Sequence, residues 1–388
     1  MKRTVSLKLL PSPTQVAKLV TLSAAFAQAC TAVVPFAQEH RCWNRVALHH
    51  LAYYSIRERF PTLGSQMACN AIHRVAIAYK ALKANNGIAK DKPVPAISFG
   101  RAAGLRTAVH FDHRTYTLLE NSVSLFTMDG REVVPFVCGR HQANLLASGK
   151  LKEGELIYRK GQWFFNLVLE LSEVAPVTEG GVLGVDVGEN NLAATSSGKV
   201  FGGGKLRFER DRYLAHRRRL QSNGSRAAKK KLRTISGRER RHVEHVNHEV
   251  SKAIVQEAQR LHMREIRAED LTHIRDRIKA GKRVRARLHR WAFRQLQDFV
   301  AYKAEALGLS VVYVNPAYTS QTCSVCGAIG KRDKHRFSCS CGNRRHADVN
   351  ASVNIAGFAE PIGPARAAVN QPVFAHYGLR DVVKSSGL

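Results

Sequence analysis

Four cysteines within nineteen residues constrain the fold of this 388-residue chain more than any other feature. Cys323 and Cys326 form a CxxC pair, and after twelve intervening residues Cys339 and Cys341 form a CxC pair. Two close thiolate pairs across a short loop suit one tetrahedral Zn²⁺, whose soft sulfur ligands close a structural site. His335 and His346 could replace a thiolate, but an exposed imidazole without a metal is the commoner case, so four thiolates are expected. A redox or disulfide pair is the weaker reading, because the chain reads as cytosolic. The opening MKRTVSLKLLPSP has too short an apolar run for a signal peptide, and no stretch is expected to reach transmembrane length. Cys30, Cys42, Cys69 and Cys138 are scattered and are expected to be buried, reduced thiols.

The second constraint is charge. Lys and Arg number 61 against 30 Asp and Glu, a formal net charge of +31. A surface this basic repels itself unless a polyanion neutralises it, so nucleic acid is the expected partner, with salt-dependent binding. A membrane partner is not expected, since no long basic amphipathic helix stands out. The expected location is the cytoplasm, in association with the nucleoid. The bias peaks in Arg217, Arg218 and Arg219 and in Lys229, Lys230, Lys231 and Arg233. Charge runs are usually solvated surface, but at this density phosphate contact is expected. Oligomeric state is not legible.

Along the chain the pattern changes twice. Residues 1–11 alternate like a strand. Ser12 and Pro13 then signal a helix start, and apolar residues repeat at helical spacing through residue 92, including a run over Ser65–Ala84. Residues 93–176 are rich in β-branched and aromatic residues with turn signals, and predict an antiparallel β domain. If the first strand joins it, the helical segment is an insertion in a β-barrel. Residues 177–358 read as a strand with Asp186, a second strand, and a basic helical pair broken at Ser222–Gly224. A strand ending Glu269–Asp270–Leu271, an amphipathic helix over Leu288–Leu307 with Trp291, a strand at Ser310–Val314, the cysteine segment at 318–345 and a helix from Ala347 follow. Residues 359–388 read as a loose tail. The fold class is therefore multidomain, α/β together with α+β.

Three acids carry the chemistry. Hydrolysis of phosphodiesters with two divalent metals needs carboxylates that converge from separate elements. Asp186 lies on a strand, Glu269 at the end of a later strand and Asp348 at the start of the last helix. Strand hairpin, helices, strand and helix is the order of an RNase H-like fold. Each acid alone is a weak signal. The order of all three, with the cysteine cluster before the third, is much more specific. Mg²⁺ is the expected catalytic ion and Zn²⁺ the structural one. Strand alternation does not choose between Glu269 and its neighbour Asp270.

These segments together resemble TnpB, the insertion-sequence-encoded RuvC-type family also described as OrfB transposase. KLLPSPTQVAKL is similar to the family's first strand and helix, GVDVG to its first RuvC motif and AEDL to its second. LHRWAFRQLQDFVAYKAEALGLSVVYVNPAYTSQTCSVCG and HADVNASVNI are similar to its later blocks. The resemblance covers nearly the whole chain. It implies a RuvC nuclease domain with a zinc ribbon, plus a β-barrel wedge domain carrying an inserted helical recognition domain. It implies a catalytic trio of Asp186, Glu269 and Asp348, decides for Glu269 over Asp270, and points to Arg332 in the loop between the cysteine pairs as a further catalytic candidate. The implied activity is cleavage of double-stranded target DNA beside a short adjacent motif, directed by a guide RNA of the omega type from the element end. A compact type V CRISPR effector shares the same catalytic domain. A non-cleaving zinc-ribbon regulator, a strand-transfer transposase and a sugar-kinase-like ATPase compete with these two readings; the last would need neither the cysteines nor the charge.

Overall fold

The computed structural model describes residues 1–85, 87–100, 107–272 and 292–357. They form two compact units that divide between Ser172 and Glu173. Trp291, the start of the helix expected from Leu288, and the tail expected at 359–388 lie outside the described residues.

The first unit opens with β1 (Lys2–Leu9), and three helices follow: α1 (Pro13–Glu39), α2 (Arg45–Arg59) and α3 (Ser65–Ala84). Ser12 starts α1 through a reciprocal capping box with Gln15, and Asn44 caps α2. Next come β2 (Val109–Phe111), β3 (Tyr116–Leu118), β4 (Ser122–Thr127) and β5 (Gly130–Val137). A short helix, α4 (Arg140–Ser148), then leads to β6 (Lys150–Arg159) and β7 (Gln162–Glu170). The sheet runs β2-β6-β7-β1-β5-β4-β3. β1 lies between β7 and β5, antiparallel to both, so α1–α3 are inserted in the chain of a β unit. Among the described residues no ladder joins β2 to β3, so the expected barrel is a near-barrel. α4 departs from the expectation of continuous strand, since its flanks read as β.

The helices close over this sheet through one apolar core that includes Leu7, Phe26, Ile72, Tyr79, Phe111 and Phe165. α1 corrects one expectation: it is long and apolar enough to cross a membrane by length and composition. Half of its apolar stretch is buried inside the unit, and Lys18 on its exposed side pairs with Glu132 of β5 at 2.5 Å. This is the behaviour of a core helix. Of the scattered cysteines only Cys30 is buried; Cys42, Cys69 and Cys138 are partly exposed.

The second unit holds a five-stranded sheet of β8 (Gly181–Asp186), β9 (Asn191–Thr195), β10 (Val200–Gly202), β11 (Met263–Glu269) and β12 (Ser310–Val314). Its order is β10-β9-β8-β11-β12. The first three strands form an antiparallel meander, and β11 and β12 lie parallel to β8. Three helices connect β10 to β11: α5 (Gly204–Asn223), α6 (Arg226–Ile235) and α7 (Arg238–Arg260). The expected helical pair is thus a triplet. Its second break is Gly237, whose φ of +75° interrupts the helix at Ser236–Gly237, a turn signal that the sequence reading passed over. α8 (Phe293–Glu305) precedes β12 and packs on α7 through Leu296 and Val300. After β12 come three short strands, β13 (Lys331–Asp333), β14 (Arg336–Ser338) and β15 (Arg344–His346), and a last helix, α9 (Ala347–Ala356). α9 lies against β8. A Cβ on Gly184 would sit 1.9 Å from the Ser352 carbonyl oxygen, so only glycine permits this approach.

Candidate active site

The sheet and α9 bring the three expected acids together electrostatically. Asp186 ends β8 and Glu269 ends the parallel neighbour β11, so both carboxylates leave the same end of adjacent strands. Asp348 sits in the first turn of α9 and is 8% exposed. Burial, then the charges of Glu269 and Asp348, push the Asp186 carboxyl up to about 8. Burial also raises Glu269, against the Thr319 hydroxyl and the Arg332 charge. Three acids crowded into a half-dry site repel one another, and a cation relieves that strain.

Arg332 is part of this centre. It stands on β13, and its guanidinium donates to Asp348 Oδ1 at 2.6 Å. Its charge also opposes the rise that burial imposes on Asp186 and Glu269. One guanidinium does not offset three ionised carboxylates, so without a further cation Asp186 keeps its proton at neutral pH. Asp270 serves the backbone instead, and its Oδ1 accepts the Thr272 N–H at 2.9 Å.

Several positioning residues escaped the sequence reading. Asn191 of β9 donates from Nδ2 to Asp348 Oδ2 at 2.8 Å. The Thr319 hydroxyl donates to Glu269 Oε1, and Gln297 of α8 holds the Glu269 carbonyl at 2.8 Å. The His346 ring accepts the Asp348 N–H through Nδ1 at 3.3 Å, capping α9. The polar run around Thr319 and the doubled asparagine at Asn190–Asn191 are the only local signals of these contacts.

The cysteines converge as expected. Cys323 and Cys341 sulfurs are 3.7 Å apart, Cys326 and Cys339 3.5 Å, and all four lie within 4.8 Å of one another. Such a set could hold one Zn²⁺. Gly327 and Gly342 follow the two pairs with φ of +75° and +88°, left-handed turns that wrap the chain around the sulfurs. Desolvation raises the Cys323 thiol, but the Cys326 N–H, the Asn343 amide and the Val325 N–H outweigh it and bring it down to about 6. His335 and His346 stand outside the sulfur cluster, with ring centroids 6.0 Å apart.

The cysteine lobe is fastened to α9. Asn350 and Asn354 lie one turn apart on α9, and both donate to the Thr322 carbonyl at 2.7 Å. Asn354 also donates to the Thr319 carbonyl at 2.8 Å, and Asn350 Oδ1 accepts the Ser324 N–H at 3.0 Å. The segment that holds Glu269 through Thr319, and the helix that carries Asp348, are therefore one hydrogen-bonded piece. The basic residues Arg217, Arg218, Arg219, Lys229, Lys230, Lys231 and Arg233 are all exposed on α5 and α6.

Comparison with known proteins fits this geometry. Residues 166–275 match the OrfB_IS605 model, described as a probable transposase, and residues 293–355 match the Cas12f1-like TNB domain model. A TnpB-like protein of Methanocaldococcus jannaschii is 31% identical over 237 residues, covering 56% of this chain and 82% of the relative. This chain belongs to the TnpB-like family. Within that family's wider circle, the CRISPR-associated endodeoxyribonuclease Cas12f1 of Sulfoacidibacillus thermotolerans is 26% identical over 347 residues, 80% of each chain. A Cas12f1–sgRNA–target DNA complex shares the fold at a TM-score of 0.58 and 13% identity, over 88% of this chain and 83% of that one. For a TnpB-like chain, the two matched regions divide the centre between them: Asp186 and Glu269 fall in the first, Arg332, Asp348 and the four cysteines in the second.

Proposed function

We propose that this chain is an RNA-guided DNA endonuclease of the TnpB type. The observation that carries the reading is the convergence of Asp186, Glu269 and Asp348 around Arg332 in a TnpB-like chain. Relatives named endodeoxyribonuclease and RNA-guided DNA endonuclease support it. The meander with two parallel strands supports an RNase H-like, RuvC-type domain over residues 177–358. Residues 12–92 then serve as the recognition domain, and residues 1–11 with 93–176 as the wedge.

The donor set fits Mg²⁺. Asp186, Glu269 and Asp348 offer hard carboxylate oxygens, and their mutual repulsion favours a divalent cation. Held there, Mg²⁺ would supply Lewis acidity at the scissile phosphate and make water a better nucleophile. The chain's own residues do the rest. Asn191 and Arg332 fix both oxygens of Asp348, and Thr319 orients Glu269. The expected products carry a 5′ phosphate and a 3′ hydroxyl. Cys323, Cys326, Cys339 and Cys341 would hold a structural Zn²⁺. The charge of +31 supports RNA and DNA as partners, and hence residence with the nucleoid.

Sequencing the RNA that co-purifies with the chain from its native locus tests this. A discrete RNA with a constant scaffold and a variable end is expected. Origin at the element end indicates an omega-type guide. Origin in a repeat array indicates a compact type V effector, a reading that the long match to Cas12f1 also supports. Plasmid cutting that survives in both Asp186→Ala and Asp348→Ala would refute the nuclease assignment.

A further inference from the structure

Besides the cysteines, one group of metal-ligating side chains has its ligand atoms within 4.8 Å of one another among the described residues. It lies in the first unit. His73 comes from the middle of α3, His110 from β2 and Glu153 from β6. One ligand atom from each lies within 4.8 Å of the other two. His110 is 3% exposed, and its Nε2 is 3.9 Å from Glu153 Oε2. The two imidazoles meet edge to face with centroids 5.1 Å apart.

Two features separate this group from an ordinary pair of core histidines. The first is the lack of partners. No hydrogen bond joins either ring to another described residue, and 3.9 Å is too long for a direct one. His110 Nε2 and Glu153 Oε2 are near enough for one small ion or water to reach both. The second feature is the backbone. The register of β6 against β7 shifts between Leu151 and Gly154, so Glu153 sits in a β-bulge. Bulges re-aim side chains. This one lies beside the His110–Glu155 pair of the β2–β6 ladder and brings Glu153 to His110.

We propose that His73, His110 and Glu153 bind a second Zn²⁺, which fastens α3 to the β2–β6 edge of the sheet. Two imidazole nitrogens and one carboxylate oxygen are a zinc donor set, with the fourth position left for water. This site is independent of the nuclease reading.

The test is zinc content. The full chain, Glu153→Gln and His73→Ala are dialysed against the same buffered free Zn²⁺, and metal and protein are quantified. Any ion at the cysteines or the carboxylates is common to all three, so the difference isolates this site. The intact chain is expected to hold one zinc more than either variant, and added Zn²⁺ to raise its Tm by more than theirs. Glu153 is largely exposed, so Glu153→Gln is expected to fold, and it decides alone if His73→Ala does not. Equal zinc content in the intact chain and Glu153→Gln overturns the proposal and leaves a bridging water between the rings and the carboxylate.

Discussion

Arg332 donates to Asp348 across sixteen residues of chain that contain two of the four clustered cysteines. The contact ties the β13–β14 hairpin to the first turn of α9. Arg332 is about one-third exposed and Asp348 is nearly buried, so solvent screens the pair and its net contribution to stability is small. The role we propose for it is electrostatic and positional. Arg332→Ala is expected to lower the rate of DNA cleavage by about 10²-fold, the scale seen when one preorganised donor is lost. Tm and guide-RNA binding should stay close to those of the parent. A matching loss of Tm would instead make Arg332 a structural residue.

Asp186 gives the metal-free chain a pH signature. Its carboxyl is raised from 3.8 to about 8 in the folded state. The folded state therefore binds a proton that the unfolded state has already lost, and stability falls as pH rises from about 4 to about 8. The loss is on the order of a few kcal/mol. With Mg²⁺ omitted, the parent should lose Tm across this window relative to Asp186→Asn. Parallel curves for the two chains would show that burial and the neighbouring carboxylates do not raise Asp186.

Much of the fold is legible in the sequence because it is local. Ser65–Ala84 keeps one apolar face at helical spacing, and Ser310–Val314 is a β-branched run; both elements form with those bounds. The order of the three acids is legible for the same reason, since each marks the end of an element. What the sequence hides depends on distant partners. Asn191 and Asp348 are 157 residues apart, and Thr319 and Glu269 fifty, so no periodicity announces either bond. The membrane-like length of α1 is masked because Lys18, Thr21, Ser23 and Gln28 interrupt its apolar residues, while packing within the unit decides its place.

Gly184 is where α9 comes nearest to β8. A Cβ there would meet the Ser352 carbonyl at 1.9 Å and the Ala356 nitrogen at 2.6 Å, both backbone atoms that cannot rotate away. Gly184→Ala is expected to destabilise the chain by about 1–3 kcal/mol, the usual cost of overpacking. Because α9 carries Asp348, cleavage should fall further than stability alone explains. Chemical denaturation alongside a cleavage assay at a temperature where both chains are folded separates the two effects.

Loss of the proposed Zn²⁺ from the cysteines should reach the carboxylates. Asn350 and Asn354 bind α9 to the Thr319–Ser324 segment, and Arg332 extends from the hairpin between the cysteine pairs. Cys326→Ser opens the sulfur cluster without touching an acid. A displacement of about 1 Å at a reacting group can cost about 10²-fold in rate. Cys326→Ser is therefore expected to lose cleavage by at least that factor while its first unit still melts cooperatively. Full activity in a zinc-free Cys326→Ser chain would show that the ribbon does not hold the centre together.

The exposed cations of α5 and α6 make the last prediction. Lys229, Lys230 and Lys231 are solvent-facing, and no ion pair joins them to another described residue. Each one that neutralises a phosphate releases a counterion, which steepens the salt dependence of binding by about 0.9 for duplex DNA and about 0.7 for a single strand. Replacing all three with Gln should weaken binding and flatten the plot of log K against log salt by about two units for a single strand and nearly three for duplex DNA if each lysine touches a phosphate. Running the titration with RNA alone, and then with DNA added to the RNA complex, assigns the helices to one nucleic acid. An unchanged slope in both would return these lysines to the role of solvated surface.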